Sequence, residues 1–124
     1  MLIYFHITHE DFGDDFMFEV SLPKTALNSE SKITNRICVS TSIDGCMMGI
    51  FGLRSMSNYK NKHPWYSQFY IYQFDGDFYK PTKMECSDVN VTDEHWILVD
   101  TIGFKVGTIN MEILFKDGKA TFNK

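Results

Sequence analysis

Paired cysteines, long apolar runs and a surplus of basic charge are all missing from this 124-residue chain. The three cysteines, Cys38, Cys46 and Cys86, are an odd number with no CxxC spacing. That argues against a disulfide frame and for reduced thiols in a cytoplasmic protein. No run approaches 18 apolar residues, so no membrane-spanning helix is expected. The start, MLIYFHITHE, has neither a basic region nor a long apolar stretch, so no secretory signal is expected either. Twelve Lys and Arg stand against sixteen Asp and Glu, a net charge of −4. Strong direct binding to nucleic acid relies on basic side chains against phosphate and is disfavoured. The G-x-S-x-G elbow, the P-loop and the G-x-G-x-x-G turn are absent. So are internal repeats and low-complexity tracts. His6 and His9 would fall on opposite faces of a continuing strand, and no Cys or carboxylate set has zinc spacing, so no metal is expected.

What remains suits one domain over residues 1–124. Eleven Phe, six Tyr and two Trp supply large apolar area for a core, a ligand or a partner. Residues 2–8 alternate as a strand, with Leu2, Tyr4, His6 and Thr8 on one face. An acidic loop and a short apolar run, Phe16 to Val20, follow. The segment 23–35 is loop-like. Arg36 to Thr41 predicts a buried strand running into a helix that Thr41 or Ser42 caps. Ile43, Cys46, Met47, Ile50 and Phe51 give that helix one apolar face, weakened by Gly45 and Gly49. Residues 53–64 form a polar, partly basic loop. WYSQFYIYQF predicts a strand, with a hairpin at Asp75-Gly76 returning through Phe78 and Tyr79. A strand over 91–99 and a second hairpin about Asp117-Gly118 complete an α+β domain, mostly strands with one or two short helices.

Three places carry candidate chemistry. His6 sits mid-strand, either as a core histidine bonded to neighbouring backbone or as a wall of a ligand site. Glu94 shares a strand face with Trp96 and Leu98. It is either a strand-end carboxylate reaching water or a group tuned beside a pocket. Ser40, Thr41 and Ser42 end a strand where hydroxyls cap helices and where free backbone N–H groups can meet a polar ligand. Cys38, mid-strand, is a poor nucleophile.

In chain order these are "YFHIT", "ICVSTSIDGC" and "VTDEHWIL". The order resembles the ADP-ribosyltransferase superfamily, and "YFHITHEDF" resembles the opening of its DNA-modifying branch, the DarT-type toxins. It is also similar to the openings of the RNA 2′-phosphotransferase branch and of small phage proteins with this fold. The resemblance implies a split, mostly antiparallel sheet with NAD as cofactor in its cleft. It implies that His6, with Thr8 beside it, bonds a ribose and that Ser40 or Thr41 supports the nicotinamide side. Glu94 would be catalytic, bonding the ribose 2′-hydroxyl and stabilising the charge that develops as nicotinamide leaves. The acceptor would be a macromolecule. The chain departs from the family pattern in having Ile7 where a Gly often follows the His, and Thr92 where many members carry Glu or Gln.

The rival expectation is a non-catalytic binding protein that blocks a protein partner, as small phage-encoded inhibitors of bacterial defence do. Its contacts would be Asp11, Asp14 and Asp15 in the acidic stretch, or Tyr59 and Trp65 in and beside the polar loop. Aromatic content and strand edges are also compatible with a dimer.

Overall fold

The computed structural model describes residues 2–22, 34–51, 65–86, 89–116 and 119–123. Among them the elements run β1 (Ile3–Thr8), β2 (Asp15–Phe18), β3 (Ile37–Ser40), α1 (Ile43–Phe51), β4 (Trp65–Asp75), α2 (Val89–Thr92), β5 (Glu94–Ile97), β6 (Thr101–Lys116) and β7 (Lys119–Asn123). The strands pair in the order β2-β6-β4-β1-β3-β5, with β7 also on β6. Each of these pairings is antiparallel. The α+β class expected from the alternating segments is what forms.

The sheet is continuous in order but parts at one seam. β1 is laddered to β4 from Ile3↔Asp75 to Thr8↔Tyr70. To β3 it has a single register pair, Phe5↔Ser40. No further register pair joins the two strands, and the His6 ring links them by bonding the Cys38 carbonyl.

The core forms on both faces. On one, Ile7, Met47, Phe69, Ile71 and Met111 pack where α1 covers β1 and β4. On the other, Phe18 from edge strand β2 joins Tyr4, Tyr72, Phe74, Ile37, Val39 and Ile97. Shared packing of β2 with β3 and β5, from opposite ends of the strand order, requires the sheet to curl, as twisted sheets do.

Two expectations change. The Asp75-Gly76 hairpin does not form. Both edges of β4 are taken, by β1 and β6, so no edge is left for a return strand. Gly76 instead adopts φ +152° and donates its N–H to Leu2 O, and the chain crosses to pair Tyr79 with Trp96 beside β5. The strand foreseen over 91–99 begins only at Glu94. Val89–Thr92 is a helical turn closed by Asp93 N bonding Val89 O, with Asp93 at φ +50°, a conformation Asp tolerates better than most residues. Leu98 and Val99 lie beyond β5 and are exposed. β6 starts at Thr101 and is paired to β7 up to Lys116↔Lys119, the second hairpin foreseen. Among the described residues no helix is long and apolar enough to cross a membrane.

Candidate functional site

Adjacent strands β1, β3 and β5 carry His6, Ser40 and Glu94, with Ser40 paired to Phe5 on one side and to Glu94 on the other. A cleft of about 710 Å³ opens at the seam, and His6, Thr8, Ser40 and Glu94 all line it. That volume is in the range of small-molecule and cofactor sites.

The floor is set by His6. Its Nδ1 lies 2.9 Å from Cys38 O. A carbonyl only accepts, so Nδ1 carries the proton and Nε2 is left as an acceptor. Surrounding protein pushes the imidazole below its ordinary 6.5, more strongly than the bond to Cys38 pushes it up. The ring is therefore neutral at pH 7. The ring is thus bonded to backbone and also lines the cleft.

Helix α1 forms one wall. Ser42 caps it, its Oγ accepting from Gly45 N at 2.9 Å, so the local hydroxyl capping falls to Ser42. Ser40 is buried, and its hydroxyl donates to Thr92 O at 2.5 Å, tying β3 to α2. This close approach needs Gly45, where a Cβ would stand 2.2 Å from both Ser40 Oγ and Thr92 O. Cys46 faces the cleft too, donating to Phe5 O at 3.0 Å. Burial, aided by the nearby Glu94 charge, pushes this thiol up to about 12. It stays protonated at neutral pH and is no nucleophile.

Glu94 is held from behind. Its Oε2 accepts from Trp96 Nε1 at 2.6 Å and from Cys86 Sγ at 3.4 Å. Trp96 and Cys86 are fully buried against Val89. Across the Trp96 ring lies the guanidinium of buried Arg36, 4.1 Å from the ring centroid, with its Nη1 bonded to Thr34 O. Arg36 lines the cleft and puts a permanent cation on its wall.

The facing wall is aromatic. Phe12 stacks on Phe16 with centroids 4.4 Å apart, and Phe18 meets both edge-on. The loop bearing Phe12 is fixed by Tyr72, whose hydroxyl accepts from Phe12 N and donates to Gly13 O, each at 2.8 Å.

The other expected residues lie elsewhere. Thr41 is not at the cleft: its hydroxyl donates to Asp93 Oδ2, and Asp93 also meets Lys80 at 3.0 Å. The Thr41 bond first, and Lys80 with it, hold the Asp93 carboxyl below its usual range. Asp11 bonds Lys105 at 2.8 Å and lies below the usual carboxylate range through that bond first and the Gly13 N–H second. Asp14 lies 4.0 Å from the same ammonium, and Asp15 begins β2. The acidic stretch thus takes its base from β6, far along the chain. Trp65 opens β4, with its side chain outside the described residues, as is the whole of Tyr59.

Arg36 as a cleft residue and the Phe12–Phe16–Phe18 wall were not singled out from sequence, and the two helix glycines were read only as weakening α1. A lone base heading the apolar run ICVS was the one available signal for Arg36. Among the described residues no group of three or more His, Cys, Asp or Glu is placed to hold a metal ion. No protein-family model, curated protein or solved structure matches this chain.

Proposed function

We propose that the cleft binds NAD and that the protein is ADP-ribosyltransferase-like, transferring ADP-ribose to a macromolecular acceptor. One observation carries this: His6, Ser40 and Glu94, far apart in sequence, line a single cleft from three neighbouring strands. The chemistry of the walls suits the ligand. Arg36 favours an anionic group such as a pyrophosphate. The phenylalanine wall offers faces to a planar ring. The bare Nε2 of His6 accepts from a ribose hydroxyl.

In the proposed reaction the bond between ribose C1′ and the nicotinamide nitrogen breaks. Its electron pair leaves with nicotinamide, whose ring becomes neutral, and positive charge develops at C1′. Glu94 accepts from the 2′-hydroxyl and stabilises that charge through space. A nucleophilic atom of the acceptor then bonds C1′ and gives up its proton.

Calorimetry with NAD on the wild type, His6→Ala and Glu94→Gln tests binding, and release of nicotinamide tests turnover. Wild type binds saturably, His6→Ala loses binding, and Glu94→Gln lowers turnover by about 10²–10³-fold, the scale for removing one group aimed at transition-state charge. Absence of binding at millimolar NAD by folded wild type would sink the proposal.

A second reading, a non-catalytic protein that blocks a partner, has its own observation. Met17 and Ile102 are paired across β2 and β6 and both exposed, with Phe104 and Val106 exposed farther along β6. An apolar stripe of this kind beside the exposed Asp14 and Asp15 suits a partner with a basic rim. Charge reversal at Asp14 and Asp15 that abolishes partner capture while NAD is irrelevant would favour it.

A further inference from the structure

Phe12 joins the aromatic wall of the cleft from a loop, residues 9–14 between β1 and β2, and two neighbouring strands hold that loop. Tyr72 of β4 and Lys105 of β6 are Cα partners, at the point where the β4–β6 register shifts between Ile71 and Tyr72. A bulge of this kind re-aims side chains. Tyr72 is fully buried in the core on which Phe12 packs. A phenylalanine would supply the same ring there. What tyrosine adds is a hydroxyl, and a buried hydroxyl costs free energy unless it is bonded. This one bonds the loop twice, accepting from Phe12 N and donating to Gly13 O. Lys105 adds two bonds, from its backbone N–H to Asp14 O and from its ammonium to Asp11, each at 2.8 Å. Within the loop Asp11 Oδ1 accepts from Gly13 N, and Gly13 takes φ +93°, a conformation that suits glycine.

The two bonds from Tyr72 bracket the loop residue whose ring lines the cleft and stacks on Phe16. We infer that Tyr72 is a positioning residue for ligand binding: its hydroxyl fixes the Phe12 ring as the surface on which a planar ring of the ligand lies. The inference rests on the NAD reading, in which that ring is adenine or nicotinamide. Tyr72 itself meets no ligand and acts through Phe12. Ordering a loop side chain as the ligand arrives costs affinity, and a side chain fixed beforehand avoids that cost. A stacking surface holds ground state and transition state alike, so its loss raises KM and leaves kcat in place.

The test is a double-variant cycle on Tyr72→Phe and Phe12→Leu, with folding checked by circular dichroism, NAD binding by calorimetry and turnover by nicotinamide release. Tyr72→Phe weakens NAD binding by about 10-fold, the scale of losing one ring stacked on a base. Its KM rises in step while kcat stays within about 2-fold of wild type. Phe12→Leu, a loop change that decides the point even should Tyr72→Phe not fold, loses as much affinity or more. The double variant binds no more weakly than Phe12→Leu, because Tyr72 acts through Phe12. A purely structural Tyr72 would lower the melting temperature and leave affinity and KM alone. ADP-ribose, which lacks nicotinamide, identifies the stacked ring: a matching loss assigns adenine to Phe12, and unchanged affinity assigns nicotinamide. Wild-type NAD affinity in Tyr72→Phe or in Phe12→Leu overturns the inference and leaves the NAD reading standing, as do losses that simply add in the double variant. A wild type that binds no NAD overturns the reading and the inference together.

Discussion

Strand β1 has two unlike sides. Towards β4 it is laddered along its whole length, and Tyr4, Ile7, Ile71, Tyr72 and Phe74 along that ladder are buried. Towards β3 it is joined at one pair, and side chains take over backbone acceptors at the seam. His6 Nδ1 bonds Cys38 O, and Cys46 Sγ bonds Phe5 O. Backbone polar groups withdrawn from water need partners, whatever the source. Where the ladder supplies them the result is a closed core. Where side chains supply them the strands stay apart, and a cleft lined by an imidazole, hydroxyls and a carboxylate is left between. Stability is concentrated on one side of β1 and candidate chemistry on the other.

The largest effect expected on the laddered side is that of Phe69→Ala. Phe69 is fully buried among Ile7, Met47, Ile71 and Met111, and His9 packs on its ring at 4.2 Å. Truncation leaves a cavity and costs about 3–5 kcal/mol, seen as a lower urea midpoint at constant slope. NAD affinity of the folded fraction stays near wild type if the two sides are separable; parallel loss of both would break the comparison.

Gly45→Ala acts at the seam and is expected to cost less. The new Cβ would force α1 away from Ser40 Oγ and the Thr92 carbonyl. Overpacking of this kind costs about 1–3 kcal/mol. On the proposed reading the cost is expected to come with weakened NAD binding, because α1, β3 and α2 all contribute to the cleft. A Gly45→Ala protein as stable as wild type would mean that the helix has slack against β3.

How much of this was legible in the sequence depended on distance along the chain. The period-2 run at 2–8, the run ICVS and the apolar face about Met47 are local patterns, and β1, β3 and α1 formed where those patterns lie. Glu94 and Trp96 do share a face, as alternation within β5 requires. The failures were contests between local and distant partners. Asp75-Gly76 has local hairpin chemistry, yet β1 and β6 occupy both edges of β4. Val91 and Thr92 suit a strand, yet Asp93 at positive φ closes a helical turn before β5. Arg36 was read only as the head of a strand, because its place on the cleft wall depends on the ring of Trp96, sixty residues on. Gly49 was counted only as a weakness in the helix, since a cleft beside it is invisible to periodicity.

The smallest effect expected is also the one that separates the two sides by pH. Burial holds the His6 imidazole below 6.5, so the folded chain keeps it neutral where the unfolded chain protonates it. Unfolded protein then binds more protons in the interval between the folded value and 6.5, and stability rises with pH across it. The contribution is present above about 6.5, the unfolded value, and is lost as pH falls through the folded value. Asp11, Glu85 and Asp93, whose carboxyls also lie below their ordinary range, add a separate loss at more acid pH. His6→Asn keeps an amide donor for Cys38 O but cannot titrate. Urea midpoints at pH 7.5, 6.5 and 5.5 are therefore expected to fall for wild type and to stay level for His6→Asn over that range. The same slope in both proteins would show that the ring takes up its proton in the folded state, and that the seam is more open to water than its packing indicates.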